Sequence, residues 1–354
     1  MIEGHGGNIY EMAKTLGCSP WDMTDMSSNV NPLGMPPRLK TTLEKHWNEI
    51  ISLPEVDNQG LQAAFAEATG VSPNQVLAGN GTTAFIYAIP MALKIKKALI
   101  VGPTYADYAD ACRAYGAEAT FSLAAENKGF EPELDEISLK LNDVDTVFIC
   151  NPNNPTGRLL PADGLKGLIG AHRGVRFVVD ESYLPFVSHW KTESLAGSGL
   201  GNAIVLQSFS KIFAIPGLRL GFVIAAPEVV QAFRTFSQPW SVNRLAQLAG
   251  SFLVSQKDFY EKTIHFIETE KKAFLGGIDA VHGLCSFPSA VHFFLFKLEG
   301  PFKARELCRQ MVRRRILIRD CSNFHGLSDS YIRIALKTSR ANKQCVEVLK
   351  EVLA

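Results

Sequence analysis

The sequence predicts an α/β protein built on a doubly wound, mostly parallel sheet, followed by a smaller α+β region. Through the middle of the chain, short apolar segments alternate with segments of helical length and period, which is the pattern of repeated β–α–β units. Several apolar segments lack the alternation of a half-exposed strand, so we expect them to be buried on both faces of the sheet. In the last third, a long helical segment precedes strands and helices in a different order.

The expected elements follow from this pattern. The strands of the large sheet are expected at 98–102, 118–123, 145–151, 175–181, 203–208 and 219–225, with helices such as 105–116 and 162–174 between them. Later elements are a helix from about 242 to 275, a strand at 290–298, a helix at 303–314, strands at 316–320 and 331–337, and a closing helix from about 340. We expect an N-terminal arm at 1–45 that packs on the small domain, a large domain at 46–240 and a small C-terminal domain at 241–354.

Composition and charge exclude several classes of function. The 354 residues are 46% hydrophobic and carry a net charge of +1, so no field of one sign favours nucleic acid or an anionic membrane. No apolar segment approaches the length that spans a bilayer, and the first residues lack the apolar core of a signal peptide. The seven cysteines form no C-x-x-C pair, which indicates a reduced cytoplasmic protein without a metal site.

Polar residues follow several strands of the expected sheet, where ligands of open α/β sheets bind. The glycine-rich turn "GNGTT" (79–83) leads into a helix and would present backbone N–H groups to a phosphate. The loop "NPNNPTG" (151–157) follows a second strand, and Asp180 lies at the end of a third. The segment "SFSK" (208–211) follows a fourth strand, and Arg219 comes eight residues after Lys211.

Each of these features has an ordinary structural explanation when taken alone. Glycine turns are common, an Asp after a strand often caps a helix, and a Lys at a strand end is usually solvated. Together, the strand ends supply a phosphate cradle, an amide, a carboxylate and an amine with hydroxyls and a guanidinium. This set suits pyridoxal phosphate, because its aldehyde binds a lysine, its ring nitrogen needs a carboxylate and its phosphate needs donors.

At these residues the chain resembles the fold-type I pyridoxal-phosphate enzymes of the class I and II aminotransferase group. The resemblance covers nearly the whole length and rests on "NPNNPTG", "DESY", "SFSK" and "GLRLG" in combination. It implies a large domain that binds pyridoxal 5'-phosphate on a mostly parallel seven-stranded sheet, and a smaller α+β C-terminal domain. It also implies a homodimer with its active site near the interface.

The resemblance assigns a role to each cofactor residue. Lys211 would bind the cofactor aldehyde, and Asp180 would pair with the ring nitrogen. Asn154 and Tyr183 would contact the ring hydroxyl, and Tyr105 would stack on the ring. The cofactor phosphate would be held by Gly81, Thr82, Ser208, Ser210 and Arg219.

Two families of this group are similar to the chain, the histidinol-phosphate aminotransferases and the threonine-phosphate decarboxylases of cobalamin biosynthesis. The segments that resemble the decarboxylases are "HGGN" (5–8), "SSNVNPLGMP" (27–36), 238–250 and 315–327. We therefore favour decarboxylation of O-phospho-L-threonine or O-phospho-L-serine for the nucleotide loop of a cobamide. By this resemblance His5, Asn31 and Arg319 would bind the substrate phosphate. Arg333 would take the substrate carboxylate, with Asn154 beside it.

Two positions depart from the pattern of these relatives. Leu53 stands where they usually have a tyrosine that reaches the cofactor phosphate, often across the dimer interface. Asp320 follows Arg319 where the decarboxylases have a small polar residue, so we expect a carboxylate near the substrate phosphate.

Two alternative functions stay open beside the decarboxylase. An aminotransferase would use the same residues and break the Cα–H bond of its substrate instead of the bond to the carboxylate. A pyridoxal-phosphate fold kept as a binding or regulatory module is a second alternative, which the intact Lys211 and the lack of a segment for an appended DNA-binding domain disfavour. Phosphothreonine and phosphoserine differ by one methyl group, worth only about 1–3 kcal/mol in a pocket, so both remain candidate substrates.

Overall fold

The strands form three sheets within residues 6–354, the part of the chain that this computed structural model describes. The strands are β1 (Thr24–Asp25), β2 (Val76–Asn80), β3 (Lys97–Gly102), β4 (Glu118–Leu123), β5 (Thr146–Cys150), β6 (Arg176–Asp180), β7 (Ala203–Ser208), β8 (Leu220–Ile224), β9 (Leu284–Ser286), β10 (Phe293–Leu298), β11 (Ile316–Leu317), β12 (Arg319–Asp320) and β13 (Tyr331–Ala335). Every strand of the expected large sheet is therefore present, within two residues of its expected bounds.

The large sheet has seven strands in the order β2-β8-β7-β6-β5-β3-β4. All neighbours are parallel except β8, which runs antiparallel to both β2 and β7. Every residue of β5, β7 and β8 is buried, as the apolar segments without alternation predict. The predicted α/β fold class is confirmed.

Helices cover both faces of this sheet and connect its strands. The helices are α1 (Ile9–Leu16), α2 (Pro37–Lys45), α3 (Gln59–Thr69), α4 (Gly81–Ala92), α5 (Asp107–Ala114), α6 (Leu134–Leu139), α7 (Ala162–Ala171), α8 (Trp190–Glu193), α9 (Phe209–Ile212), α10 (Pro227–Phe236), α11 (Arg244–Leu253), α12 (Lys257–Ile278), α13 (Ala304–Arg313) and α14 (Ser339–Leu353). Short 3₁₀ helices cover Pro20–Asp22, Trp47–Ile51, Pro73–Gln75, Glu126–Lys128, Leu184–Phe186 and Pro216–Leu218.

The single long helix expected from 242 to 275 is instead two helices, α11 and α12. Ser255 and Gln256 lie between them, and both side chains donate to the backbone carbonyl of Phe252. Such local bonds give the backbone carbonyls of a helix end a partner outside the helix. Gln256 has a non-helical backbone with ψ of 55°, so the chain changes direction before α12 begins.

The smaller sheet has the order β12-β13-β10-β9, and all its neighbours are antiparallel. The strand expected at 316–320 divides at Ile318, because β11 pairs with β1 of the N-terminal segment whereas β12 pairs with β13. The N-terminal segment is thus joined by backbone hydrogen bonds to the C-terminal part of the chain.

Two large clusters of buried apolar side chains fill the structure. One surrounds the seven-stranded sheet and includes side chains of α3, α4 and α11. The other lies under the smaller sheet and includes Met26, Phe294, Leu307 and Leu349. Helix α12 contributes to both, with residues such as Phe259 in the first cluster and Phe274 in the second.

No helix among residues 6–354 combines the length and the apolarity that crossing a bilayer requires. In the same part of the chain, no group of three or more His, Cys, Asp or Glu side chains is placed to hold a metal ion.

Candidate active site

The antiparallel direction of β8 brings its first residues to the edge where the other strands end. Asn80, the last residue of β2, is opposite Leu220, and Ser208, the last residue of β7, is opposite Gly221. A Cβ on Gly221 would lie 2.6 Å from the backbone nitrogen of Thr82, so glycine lets the start of α4 approach β8 closely. The segments that hold the predicted cofactor residues therefore meet at one edge of the sheet.

A cavity of about 190 Å³ lies at this edge. Its walls are formed by Thr82, Thr83, Ile86, Tyr105, Tyr108, Cys150, Asn154, Asp180, Ser182, Tyr183, Ser208, Ser210, Lys211 and Arg219. Of the predicted cofactor residues, only Gly81 is not among these walls, and it is the residue directly before Thr82. We call this space the cofactor cavity.

One end of the cofactor cavity is suited to a phosphate. Helix α4 begins at Gly81, whose φ of +74° is in the left-handed region that favours glycine. A Cβ at Gly81 would lie 2.5 Å from a guanidinium nitrogen of Arg219, so a larger residue would fill the space beside that cation. The helix N-terminus, the guanidinium and the hydroxyls of Ser208 and Ser210 give this end an anion-binding character.

The opposite part of the cofactor cavity contains the buried carboxylate of Asp180. Its Oδ1 accepts hydrogen bonds from the backbone nitrogen of Ser182 at 3.0 Å and from the Ser182 hydroxyl at 2.5 Å. Its Oδ2 accepts a hydrogen bond from the Tyr108 hydroxyl at 2.8 Å. Burial raises the pKa of Asp180, and these donors together with the charge of Lys211 oppose that rise. A protonated ring nitrogen here would be a further partner for the carboxylate.

Lys211 lies at the centre of the site, in the short helix α9 directly after β7. Burial, followed by the charges of Arg333, Arg219 and Lys337, lowers its pKa to about 8. A lysine amine with a lowered pKa is more often neutral near physiological pH, which is the form that attacks an aldehyde.

Two aromatic side chains form the remaining walls of the cofactor cavity. Tyr105 contacts Tyr108 edge to face, with ring centroids 5.8 Å apart. Tyr183 packs against Phe293 in the same geometry at 4.9 Å. Burial raises the pKa of the Tyr183 hydroxyl to about 12, although the positive charge of Arg333 acts in the opposite direction. The Tyr183 hydroxyl therefore stays protonated and can donate a hydrogen bond to a ring oxygen.

A second cavity, of about 200 Å³, adjoins the first and is called the substrate cavity here. It is lined by Gly6, Ser27, Ser28, Asn29, Tyr105, Ala106, Asn154, Tyr183, Lys211, Arg319, Asn323, Phe324 and Arg333. Tyr105, Asn154, Tyr183 and Lys211 also line the cofactor cavity, so the two spaces meet at the amine of Lys211.

Both predicted substrate arginines lie in the substrate cavity. Arg333 donates to the side-chain oxygen of Asn154 and to the backbone oxygen of Ser27, while its buried Nε has no hydrogen-bond partner among the described residues. Arg319 donates to Asn323 at 2.6 Å, and its guanidinium lies 5.2 Å from the ring centroid of Phe324. Burial lowers the pKa of both arginines.

Positive charge dominates this region. Lys337 is partly buried next to the substrate cavity and donates to the backbone oxygen of Ser28, a residue of that cavity, at 3.0 Å. Burial lowers its pKa to about 8, and the charge of Asp25 opposes this shift. Within residues 6–354, Lys211, Arg319, Arg333 and Lys337 form no ion pair with a carboxylate at 4.0 Å or less. An anionic ligand would therefore be bound by cations that have no carboxylate in direct contact.

The structure does not bring Asn31 to the substrate cavity. Its side-chain nitrogen donates to the backbone oxygen of Ile212 at 2.7 Å and to the Thr263 hydroxyl at 2.8 Å. Its side-chain oxygen accepts from the backbone nitrogen of Leu33. Because these bonds use the amide within the protein, the structure gives no support to the expectation that Asn31 binds substrate.

Three further expectations concern positions around the cavities. Residue His5 lies outside the described residues, but Gly6 lines the substrate cavity and the Gly7 backbone nitrogen donates to Ser27 at 2.8 Å. Asp320 is turned to its own loop, where it accepts from the backbone nitrogen of Ser322 at 2.8 Å, and it lines neither cavity. Leu53 is 72% exposed and also lines neither cavity.

Three residues of the site were not expected from the sequence, namely Tyr108, Ser182 and Asn29. Tyr108 follows Tyr105 by three residues, which is one turn of helix, and that spacing could have indicated a shared face. Ser182 is two residues after Asp180, the usual spacing for an Asp side chain that accepts from the local backbone. Asn29 is two residues before Asn31, and no signal in the sequence separates them.

These features define a pyridoxal-phosphate protein of fold type I. The sequence profile of the class I and II aminotransferases matches residues 22–350, and the chain belongs to this family. The predicted cofactor, pyridoxal phosphate, is accordingly confirmed, and the phosphate-binding end, the carboxylate and the lysine of the cofactor cavity fit it.

Within this family the chain is similar to named decarboxylases and to named aminotransferases. A threonine-phosphate decarboxylase of Salmonella typhimurium is 34% identical over 99% of this chain and 96% of that protein. The solved structure of L-threonine-O-3-phosphate decarboxylase from Porphyromonas gingivalis has a TM-score of 0.85 and 32% identity, covering 94% of this chain and 99% of that one. The histidinol-phosphate aminotransferase of Clostridium acetobutylicum has a TM-score of 0.87 and 27% identity, covering 93% and 99%.

Proposed function

We propose that this protein is a pyridoxal-phosphate-dependent decarboxylase of an O-phosphorylated hydroxy-amino acid. O-Phospho-L-threonine is the favoured substrate and O-phospho-L-serine the second, with aminopropanol phosphate or ethanolamine phosphate as product for the nucleotide loop of a cobamide. The observation that carries the proposal is the set of four cations around the substrate cavity, the buried Arg319 and Arg333 and the partly buried Lys211 and Lys337. Similarity to the threonine-phosphate decarboxylases supports the same substrate class.

The charges of the substrate match these cations. A phosphorylated amino acid adds about 1.5–2 negative charges to the one on its carboxylate near neutral pH. A guanidinium binds phosphate or carboxylate through two parallel hydrogen bonds, so two arginines suit the two anionic groups. We assign the phosphate to Arg319, with Asn29 in the place expected for Asn31, and the carboxylate to Arg333.

The residues of the chain orient the substrate and move its protons in this proposal. Bound pyridoxal phosphate would supply an electron-withdrawing ring that stabilises the electron pair left on Cα when carbon dioxide departs. Arg319 and Arg333 hold the two ends of the substrate, so that binding energy away from the reacting bond fixes the torsion about Cα. Lys211 would hold the cofactor aldehyde when substrate is absent, and its protonated amine would donate the proton that takes the place of carbon dioxide at Cα.

The N-terminal segment takes part in closing the substrate cavity in this proposal. Its support is that Gly6 already lines the cavity and that Gly7 donates to Ser27. A Cβ on Gly6 would lie 2.6 Å from the backbone oxygen of Ser27, so only glycine fits this approach. Gly6→Val should therefore raise KM for the substrate while leaving the affinity for cofactor unchanged. Equal loss of both affinities would contradict a role confined to substrate.

The test of the decarboxylase measures two products separately. Purified protein with added pyridoxal phosphate is offered O-phospho-L-threonine, O-phospho-L-serine, or histidinol phosphate with 2-oxoglutarate, and carbon dioxide and glutamate are followed. Carbon dioxide from a phosphorylated hydroxy-amino acid is the expected result, and the ratio of kcat/KM values identifies the substrate. Glutamate without carbon dioxide would refute the decarboxylase.

An aminotransferase acting on histidinol phosphate is the second candidate function. The histidinol-phosphate aminotransferase of Clostridium acetobutylicum, with a TM-score of 0.87, favours it. The same cations would bind the single phosphate of that substrate, and Arg333 would bind a carboxylate of 2-oxoglutarate, the amino acceptor. Histidinol phosphate alone should convert the bound cofactor of an aminotransferase to its pyridoxamine form, a change in absorption that the decarboxylase should not show.

We also propose that the protein is a homodimer that associates through an apolar segment at Trp47–Val56. Trp47, Ile50, Ile51, Leu53 and Val56 are all exposed there, and a cluster of exposed apolar side chains is typical of an interface. Ile51, which is 88% exposed, is the residue to change. Ile51→Glu should shift the protein from dimer to monomer in analytical ultracentrifugation. A wild-type protein that sediments as a monomer would refute the proposal.

For the domain organisation we propose the expected arm, large domain and small domain, with the last boundary inside α12 instead of at 240. The support is that Ala246 and Leu253 of α11 pack in the cluster around the large sheet. Amides of α11 should consequently exchange hydrogen at the rates of the large-domain helices. Exchange at the rates of α13 and α14 would restore the boundary at 240.

A further inference from the structure

We propose that Tyr108 is a positioning residue that holds Asp180 in place for the ring nitrogen of the cofactor. The inference rests on the proposed role of Asp180 at that nitrogen. Tyr108 would act through Asp180 and through Tyr105, and it would make no bond to substrate, since it does not line the substrate cavity.

The hydrogen bonds of Asp180 carry the inference. A carboxylate has about four lone-pair positions, two on each oxygen. Ser182 supplies two donors to Oδ1, so that oxygen is fully used. Tyr108 supplies one donor to Oδ2, at 2.8 Å. One position on Oδ2 is left, and it suits the N–H of a protonated pyridine ring. Tyr108 thus shares an oxygen with the ring nitrogen and fixes the direction of the vacant position.

The ring of Tyr108 is held rigidly from two sides. It is 1% exposed and stacks on Phe148, with centroids 5.5 Å apart and planes at 21°. It also meets Tyr105 at 5.8 Å and 83°, the edge-to-face arrangement that aromatic pairs prefer. Since Tyr105 is the proposed stacking partner of the cofactor, one side chain positions both the ring face and the ring nitrogen.

The hydrogen bond from Tyr108, the third donor to Asp180, matters because few nearby groups stabilise the charge of this carboxylate. Burial favours the neutral carboxyl, and the titratable groups that face it besides Tyr108 are Lys211, Tyr105, Tyr183, Glu181 and Cys150. Only Lys211 among these has a positive charge, and it binds the cofactor aldehyde in the proposed enzyme. Three hydrogen bonds that favour the carboxylate therefore help keep the shared proton on the ring and not on Asp180.

The test compares the same substitution, tyrosine to phenylalanine, at a position beside Asp180 and at a position outside both cavities. Tyr108→Phe removes one buried hydroxyl and keeps the ring contacts. Tyr260→Phe removes the hydroxyl of a partly buried tyrosine that lines neither the cofactor cavity nor the substrate cavity. The readouts are the dissociation constant of pyridoxal phosphate, the ¹⁵N chemical shift of cofactor labelled at its ring nitrogen, and kcat and KM separately.

For Tyr108→Phe we expect a weaker affinity for cofactor by about tenfold, the usual size of one lost hydrogen bond to a charged group. The ¹⁵N shift should move towards that of a neutral pyridine, and kcat should fall with KM unchanged. Tyr260→Phe should match the wild type in all of these. An unchanged ¹⁵N shift and unchanged affinity in Tyr108→Phe would overturn the inference.

A second variant separates this inference from the assignment on which it rests. Asp180→Asn removes the carboxylate and should produce the full neutral shift of the ring nitrogen. If Asp180→Asn leaves the ¹⁵N shift as in the wild type, the proposed role of Asp180 fails, whichever substrate the enzyme uses. If Asp180→Asn moves the shift and Tyr108→Phe does not, only the role of Tyr108 fails.

Discussion

The two cavities that meet at Lys211 differ in how their charged groups are satisfied by the protein itself. In the cofactor cavity, Asp180 accepts three hydrogen bonds and Arg219 donates to the backbone oxygen of Pro216. In the substrate cavity, which Lys337 adjoins, none of the described lining residues is a carboxylate, and the buried Nε of Arg333 has no hydrogen-bond partner among the described residues. The carboxylate that would bind the cofactor is thus held in place by hydrogen bonds within the protein. The cations that would bind the substrate have no carboxylate of residues 6–354 in direct contact and can pair with an anionic ligand when it enters.

The largest expected effect is at the residue that both cavities share. Lys211→Ala removes the group that would bind the cofactor aldehyde and donate the proton to Cα, so activity should fall by about a thousandfold or more. The visible absorption band of the bound cofactor should vanish as well. Lys166→Ala, on the exposed face of α7, is the control. If the Lys211→Ala protein kept both the absorption band and the activity, Lys211 would not be the residue that binds the cofactor aldehyde.

The next effect should be confined to the substrate cavity. Arg319→Ala removes a charged donor, and kcat/KM for the phosphorylated substrate should fall about 10- to 100-fold, as expected for a lost hydrogen bond to a charged group. The affinity for pyridoxal phosphate should not change, because Arg319 does not line the cofactor cavity. Arg309→Ala, on the exposed side of α13, provides the matched control. If Arg319→Ala also lowered the affinity for the cofactor, the proposal that Arg319 binds only the substrate would be contradicted.

Two asparagines of one segment should behave in opposite ways. Asn29→Ala should raise KM about three- to tenfold, the size of one neutral hydrogen bond, with little change in stability. Asn31→Ala should leave KM unchanged and lower the free energy of unfolding by about 1–3 kcal/mol, because buried partners lose their donor. Steady-state kinetics and urea unfolding measure both quantities. A rise of KM in Asn31→Ala alone would favour the original expectation for Asn31.

The smallest effect concerns the partly buried charge of Lys337 in the apoprotein. Its pKa is about 8 in the folded protein and 10.5 ordinarily, so between these values the unfolded chain binds more protons. Its contribution to the free energy of unfolding therefore rises with pH across this window. Lys337→Met removes that contribution, so the variant's stability relative to wild type should be greatest near pH 7.5 and decline towards pH 10. Urea unfolding at both pH values tests this, with Lys166→Met as control, and a constant difference would contradict it.

The comparison also shows what could be predicted from the sequence. The cofactor residues could be found because each lies directly beside a strand end, at a fixed spacing within a recognisable motif, as in "SFSK" and "GLRLG". Residues of the substrate cavity come from segments far apart in the chain, such as 27–29, 319–324 and 333, and their meeting depends on tertiary packing. The choice between Asn29 and Asn31 shows this, since only the positions of Ile212 and Thr263 decide which amide is used internally.

For the fold as well, the elements with a local sequence pattern could be predicted, and those that depend on particular contacts could not. Buried strands could be read from continuous apolar segments, and their bounds agree closely with the structure. The division of the C-terminal helical segment into α11 and α12 could not, because two side-chain bonds to one carbonyl, from Ser255 and Gln256, end the first helix. The pairing of β1 with β11 also joins residues too distant for any periodic pattern to indicate.

The position of α12 has a consequence for how the molecule melts. The helix has 22 residues, a length of about 33 Å, and its two halves are anchored in different apolar clusters. If either cluster unfolded, one half of this helix would lose the apolar side chains against which it packs. Because helix formation is cooperative, the disturbance would pass along the helix to the other half. The two clusters should therefore denature together, in one calorimetric transition.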